Sequence, residues 1–310
     1  MARRPRWLKS DTIYCDTQGT IDRQFLFKPD PETRNIIGAC AARALKKYPV
    51  KLYCLEFNIT HKHSEKAPLS DSPEHLQNLV RFDQMFNSLL VRELNRKYER
   101  VGPLFASRNR TDEATDDSAA EQQLFYAVTN VVKDGLVDRV EHWGGVSSYR
   151  QLATGQVDTY TYIDRTAWHR AGGVSSGKPP EAFTRTVTLE LTPLPGWEGM
   201  SPSKRQAHFR REVRRMERHF RDERARKGRG VMGKSRLAKV DPRDRPKSRR
   251  EKTRQPLCHS STLEGAKEYE ALLREYMDRY YRASDMWMRG VWDVEFPAGA
   301  IRPPPLMVCG

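Results

Sequence analysis

The sequence predicts an α+β fold, a ferredoxin-like or RRM-like sandwich with helices on a mainly antiparallel sheet, followed by a basic helical extension toward the carboxy terminus. Three observations predict it. Strand and helix patterns alternate as β-α-β-α-β-α over roughly the first 140 residues, the helical segments there are amphipathic, and the positive charge is concentrated in one later helix.

In chain order, a first strand is expected near Thr12–Asp16 and a helix over Pro31–Tyr48 (PETRNIIGACAARALKKY). Residues 51 to 63 (KLYCLEFNITHKH) alternate as a strand. Tyr53, Leu55, Phe57 and Ile59 fall on one side, and the period of two places His61 and His63 on that same side. Two parallel imidazoles suit a divalent metal ion, although a pair is an incomplete ligand set and solvated residues at a strand end have the same pattern. After the turn-rich KAPLSDSP, a helix is expected over Pro73–Tyr98, with Leu79, Phe82, Phe86, Leu90 and Leu94 in its apolar stripe. A short strand is expected at Gly102–Arg108. The next helix is expected to begin at Ser118, where Ser118 and Glu121 have the spacing of a capping box, and to end near Gly135.

Four units are expected: residues 1–150 as the catalytic-type domain, 151–202 as a loop-rich connection with a strand at RTVTLELTPL, 203–255 as a basic helix and arm, and 256–310 as an amphipathic helix with a proline-rich tail. In the last unit Tyr269, Tyr276, Tyr280 and Trp287 form a stripe that reads as core against the first domain more readily than as a base-stacking platform.

A chain of 310 residues with 37% hydrophobic content is long enough to bury a core. Its five cysteines are scattered without a CxxC pair, which argues against a disulfide framework and a structural zinc site and favours a reducing cytoplasm. The amino-terminal MARRPRWLKSDTIYC has no apolar signal-peptide core, and no window of about 18 apolar residues occurs, so neither export nor membrane insertion is expected. Residues 203–254 carry 22 Lys/Arg against 7 Asp/Glu, an excess equal to the chain's whole net charge of +15. Within them SKRQAHFRREVRRMERHFRDERARKGRG places Phe209, Val213, Met216 and Phe220 at helical spacing among arginines, and the proline-containing stretch after it is expected to be an extended arm. Unbalanced charge of this kind favours a nucleic-acid partner. Lys204, Arg205, Arg211, Arg214, Arg215 and Arg218 are the candidate phosphate contacts, and a nucleoid-associated location follows.

Gln122, Tyr126 and Asn130 share one face of the helix in EQQLFYAVTNVVKDG. The blocks Ile59-Thr60-His61-Lys62-His63-Ser64, Tyr126-Ala-Val-Thr-Asn130-Val-Val-Lys-Asp-Gly135-Leu136-Val137 and Trp143-Gly-Gly-Val-Ser-Ser148 together resemble the REP-associated tyrosine transposases, a group of the HUH single-tyrosine transposases. The resemblance covers about residues 8 to 150, with a weaker echo over 225 to 310. It implies cleavage of single-stranded DNA, often near a hairpin, by Tyr126, leaving a 5′-phosphotyrosine that a different 3′-hydroxyl later attacks. It also implies Mg²⁺ or Mn²⁺ held by His61, His63 and Asn130, and a monomer or a homodimer. Three positions depart from the family pattern. Lys62 replaces an apolar residue between the histidines, Ser64-Glu65-Lys66-Ala67-Pro68 replaces an apolar continuation, and Val131 replaces a proline. The strand is therefore expected to end at the motif, with Lys62 pointing away from the histidines to solvent or a partner. A non-catalytic DNA-binding remnant and a replication or transfer nickase are the other readings.

Overall fold

The computed structural model describes residues 4–247 and 256–304. In order, the elements are β1 (Ile13–Gly19), α1 (Pro31–Lys47), β2 (Lys51–Phe57), β3 (His61–Ala67), α2 (Pro73–Lys97), β4 (Arg110–Ala114), α3 (Asp117–Lys133), α4 (Tyr149–Thr154), β5 (Asp158–Ile163), α5 (Arg165–Arg170), β6 (Thr184–Leu189), α6 (Pro202–Arg226), α7 (Gly233–Leu237), β7 (Cys258–His259) and α8 (Leu263–Met288). The main sheet runs β2-β3-β1-β4-β7, antiparallel throughout except for the short parallel pairing of β7 on β4. The fold is thus α+β with a mainly antiparallel sheet, as expected. Helices α1 and α2 cover one face through Ile37, Ala41, Phe82, Phe86 and Leu90, and α3 with α6 covers the other through Leu124, Val128, Phe209 and Val213. No described helix is long and apolar enough to cross a membrane.

Residues 51–63 are not one strand. The chain reverses at Asn58–Thr60, so β2 ends at Phe57 and the histidines begin β3. Nor does the strand stop at the motif. β3 runs on to Ala67 because it lies between β2 and β1 and forms ladders on both sides, so backbone pairing holds a sequence, HKHSEKA, that has no strand-like apolar pattern. The reversal also changes which residues share a face. Phe57 pairs with Lys62 and Leu55 with Ser64, so Leu55 and Phe57 lie opposite the histidines and pack toward α1 and α2. Tyr53 stays on the α3 side, since the ladder slips between Leu52 and Cys54.

Two lysines of β3 are therefore buried under α2. Lys62 is 1% exposed, donates to Asn87 Oδ1 at 2.8 Å and holds its ammonium 4.7 Å from the Phe86 ring centre. It points away from the histidines as expected, with a protein partner in place of solvent. Lys66 pairs with Asp16 and, at 3.0 Å, with Asp83, which Arg6 approaches at 3.7 Å. Burial pulls Lys62 down to about 8, opposed by the attraction of Asp83.

Four other expectations change. Helix α3 begins earlier than Ser118, with Asp116 as its cap accepting from the Ala119 amide at 2.9 Å, and Glu121 binds Trp197 Nε1 and His208 Nε2, each at 2.7 Å. Its other end is as expected: Gly135 has φ of 69°, and the Leu136 amide donates to Val131 O at 3.0 Å, the closing bond of a glycine-terminated helix. Residues 102–108 contain no strand, only a single bridge of Phe105 to Thr20, and the paired segment is the charged Arg110–Ala114. Residues 151–202 hold a β5–β6 hairpin where one strand was expected, and Tyr160 lies so close over Gly38 of α1 that an added Cβ there would meet its ring at 2.2 Å. The stretch after α6, expected to be extended, includes the short α7, with Leu237 buried; residues 248–255 of the expected arm lie outside the described residues.

Helix α6 packs on α3, with Phe209 and Phe125 stacked at 5.8 Å. On α8, Tyr269 and Tyr276 are buried while Tyr280 and Trp287 are half-buried, and Trp7 stacks on Tyr276 at 4.7 Å. Tyr269 and Tyr276 are thus core beside Trp7 of the amino-terminal segment, whereas Tyr280 and Trp287 pack on Phe296 of the tail at 5.7 and 6.1 Å.

Because the folded chain favours neutral Lys62 and the unfolded chain keeps it charged up to the ordinary lysine range, stability should rise as pH increases from about 8 to about 10.5, by about 3 kcal/mol. Urea unfolding across that range should show a rise that is smaller by about that amount in Lys62→Met, since Lys66 is also held below the usual lysine range by burial, and the variant should be the more stable of the two at pH 7.

Candidate active site

The alternation of β3 sends His61, His63 and Glu65 to the α3 face, where β1 and β2 supply Thr17 and Glu56 opposite His63. On α3, Tyr126 and Asn130 are one turn apart on the side that meets the strand. The two imidazole rings are 4.9 Å apart in an edge-to-face arrangement, and the Tyr126 ring stands 6.1 Å from that of His63. His61 Nε2 is 3.0 Å from Asn130 Oδ1. All four residues proposed from the sequence therefore meet at one place. They adjoin a cleft of about 790 Å³ whose walls include His61, His63, Glu65, Tyr126, Arg110 and His259; Asn130 lies just beneath, 4% exposed.

Each ring is held by a second group. Thr17 Oγ1 sits 3.1 Å from His63 Nδ1, and Thr60 Oγ1 sits 3.0 Å from His61 Nδ1, which fixes the orientation of each ring. Asn58, in the β2–β3 turn, donates its amide to Asn130 Oδ1 at 2.8 Å and to Asp134 Oδ2 at 2.7 Å, fixing the carbonyl end of Asn130 toward His61. His63 Nε2 is buried and has no hydrogen-bond partner among the described residues. Burial, with His61 and Lys133 adding repulsion, holds His63 well below the usual histidine range. It is thus a neutral imidazole with an open lone pair or proton, the state in which histidine binds a metal.

Tyr126 is half-buried, and Lys133 Nζ donates to its phenolic oxygen at 2.7 Å while lying 4.4 Å from the ring centre. Glu65 brings a carboxyl to the same wall. Burial, and then Glu56, push its titration well above the usual range, and neither oxygen has a hydrogen-bond partner among the described residues, so it stands protonated. Glu56, pushed up to about 8 by burial, accepts from the Ser148 amide at 2.7 Å. Among the described residues no three of His, Cys, Asp and Glu are grouped as metal ligands. A divalent ion at this place would have to take the amide oxygen of Asn130 as the third donor, a hard oxygen that suits Mg²⁺ or Mn²⁺.

The sequence reading missed Lys133, Asn58 and Glu65. Lys133 follows Tyr126 by seven residues, two helical turns, and was legible; Asn58 and Glu65 depend on the hairpin. Gln122 does not reach the cleft and bonds Ser118 Oγ at 3.5 Å; Gln123 lines the wall instead. None of the six proposed nucleic-acid contacts lines it either. Arg211 and Arg215 pair with Glu212 at 3.1 and 2.7 Å, Lys204 and Arg205 lie in the first turns of α6, and Arg214 and Arg218 line a separate groove of about 350 Å³ with Arg139 and Arg221.

No protein-family model matches the chain, and no curated protein matches it. A solved structure described as the REP-associated tyrosine transposase bound to a REP hairpin superposes on half of this chain, 50%, and on 87% of its own length, with a TM-score of 0.41 and 15% identity.

His63 should remain neutral as pH falls through the ordinary histidine midpoint of about 6.5. Nitrogen-15 chemical shifts of its ring should stay at neutral-imidazole values at pH 6; a midpoint near 6.5 would contradict the burial described.

Proposed function

We propose that this protein cleaves and rejoins single-stranded DNA through a 5′-phosphotyrosine on Tyr126, as a transposase or a domesticated relative of one. The observation that supports this reading is the convergence of a lysine-contacted tyrosine, two oriented imidazoles and an anchored asparagine amide at one cleft. The β-α-β-β-α-β order with strands β2-β3-β1-β4 supports the ferredoxin-like reading, with the nucleophile's helix on the face of the sheet that α1 and α2 leave open.

The chemistry is a transesterification. The Tyr126 oxygen attacks the phosphorus, the bond from phosphorus to the 3′ oxygen breaks, the phenolic proton is released and the departing 3′ oxygen takes up a proton. A divalent ion held by His61, His63 and Asn130 would supply positive charge to the non-bridging oxygens of the phosphate. Lys133 holds the phenolic oxygen before attack and offers a second cation to the phosphate. Asn58 and Thr17 position, through Asn130 and His63, groups that would be misaimed if they rotated. Rejoining is the reverse reaction with another 3′-hydroxyl, and it needs no nucleotide cofactor. The exposed arginines of α6 would hold the strand or a hairpin stem beside the cleft.

A DNA-binding protein without cleavage is favoured by one specific feature, the polar β3 that departs from an apolar motif strand. Labelled hairpin-containing single-stranded DNA incubated with Mn²⁺ separates the two. A covalent protein–DNA band on a denaturing gel, abolished by EDTA and by Tyr126→Phe, is expected; binding with no such band across several hairpins supports the non-cutting reading. Titration calorimetry should in addition show Mn²⁺ binding that the His61→Ala, His63→Ala double variant loses and that Asn58→Ala weakens by about 10-fold or more.

A further inference from the structure

On the opposite face of the sheet from the histidines, a second cavity of about 410 Å³ opens between the segment Arg4–Leu8, α2 and the start of β4. That volume is in the range of sites for small organic molecules, about 300–1,000 Å³. It is not isolated from the cleft: Asp16, Ser107, Arg110, Asp112 and Pro256 line both. A chain lying in the cleft therefore has a short path into it over the β1–β4 side of the sheet.

The walls are chemically divided. Leu8, Leu79 and Val80 give an apolar surface. The carboxylates are already matched, Asp16 and Asp83 by Lys66, Asp112 by Arg110 at 2.8 Å and Glu113 by Lys9. Arg4 at the mouth donates to the carbonyls of Leu257 and Thr111 and contacts no carboxylate among the described residues. Asn109 is the exception to this pairing. It is 5% exposed, it lines the cavity, and neither its Oδ1 nor its Nδ2 has a hydrogen-bond partner among the described residues. Native interiors rarely leave a donor and an acceptor of one side chain unmade together.

We propose that this cavity takes one nucleobase of the bound single strand, an adenine, read by the Asn109 carboxamide. The proposal rests on the reading of the cleft as a DNA site. A carboxamide presents one donor and one acceptor side by side, and adenine's N6 and N7 present the complementary pair. The apolar wall covers the faces of the base, and the Arg4 guanidinium lies where the nucleotide's phosphate would remain at the rim.

The test is binding alone, in EDTA, so that it does not depend on cleavage, and an absent covalent adduct would be a separate failure. Fluorescein-labelled oligothymidine carrying a single adenine at each position in turn is titrated with the full-length protein. One position should tighten binding about 5- to 100-fold over the all-thymidine strand, the range for a bidentate base contact. The gain should disappear in Asn109→Ala and in Asn109→Asp, which cannot donate. It should also fall when 7-deazaadenine replaces adenine, a comparison made on the wild-type protein and therefore independent of any folding defect in the variants. Absence of a preferred adenine position overturns the proposal, as does preference for another base, a preference that survives Asn109→Asp, or an equal loss on all strands.

Discussion

The structure depends on the placement of a polar strand in the interior of a sheet. β3 carries a charged or titratable side chain at five of its seven positions and is laddered on both sides, so those groups must find a partner inside the protein or give up their charge, as Glu65 does. On one face Lys62 and Lys66 are met by Asn87 and Asp83 of α2 and by Asp16 of β1; on the other His61 and His63 are met by Asn130 of α3 and Thr17 of β1. The helices are thus fixed over the sheet by specific polar bonds as well as by apolar packing. Such a network rigidifies what it joins, which is what a site needs if a tyrosine and two imidazoles are to keep their relative aim.

Burial then sets the charge state of the cleft wall. Desolvation keeps His63 uncharged and leaves Glu56 and Glu65 protonated, so the α3 side of β3 presents little charge of its own. The cations lie at the margins: Lys133 against Tyr126 and Arg110 beside Asp112. An anionic strand would meet attraction at the rim and neutral, oriented donors at the centre, an arrangement that suits the stabilisation of charge developing on a phosphate.

The helices were legible in the sequence because their signals are local. Apolar spacing and proline at the first positions mark α1, α2 and α6, and Gly135 closes α3 where the pattern stops. The residues of the site were legible too, since His61 and His63 keep a common face in any strand, and Tyr126 and Asn130 in any helix. The hairpin between β2 and β3 was not, because Asn58-Ile59-Thr60 has no glycine or proline and the apolar alternation runs unbroken into the turn. That single reversal moved Leu55 and Phe57 to the far face and brought Asn58 to Asn130. β4 was placed too early because its five residues, RTDEA, carry no apolar stripe; its pairing with β1 is decided by tertiary contact. The cap of α3 was misread for a related reason, with Glu121 drawn off by Trp197 and His208, residues distant in sequence.

The central claim is that Tyr126 is the residue that takes the DNA. Mass spectrometry of peptides from protein incubated with Mn²⁺ and a single-stranded hairpin substrate, then stripped of DNA by nuclease, tests it most directly. A peptide containing Tyr126 that carries the mass of a 5′-linked nucleotide on the tyrosine is the predicted result. A nucleotide on any other residue, or an unmodified Tyr126 peptide under conditions in which the DNA is cut, would contradict it.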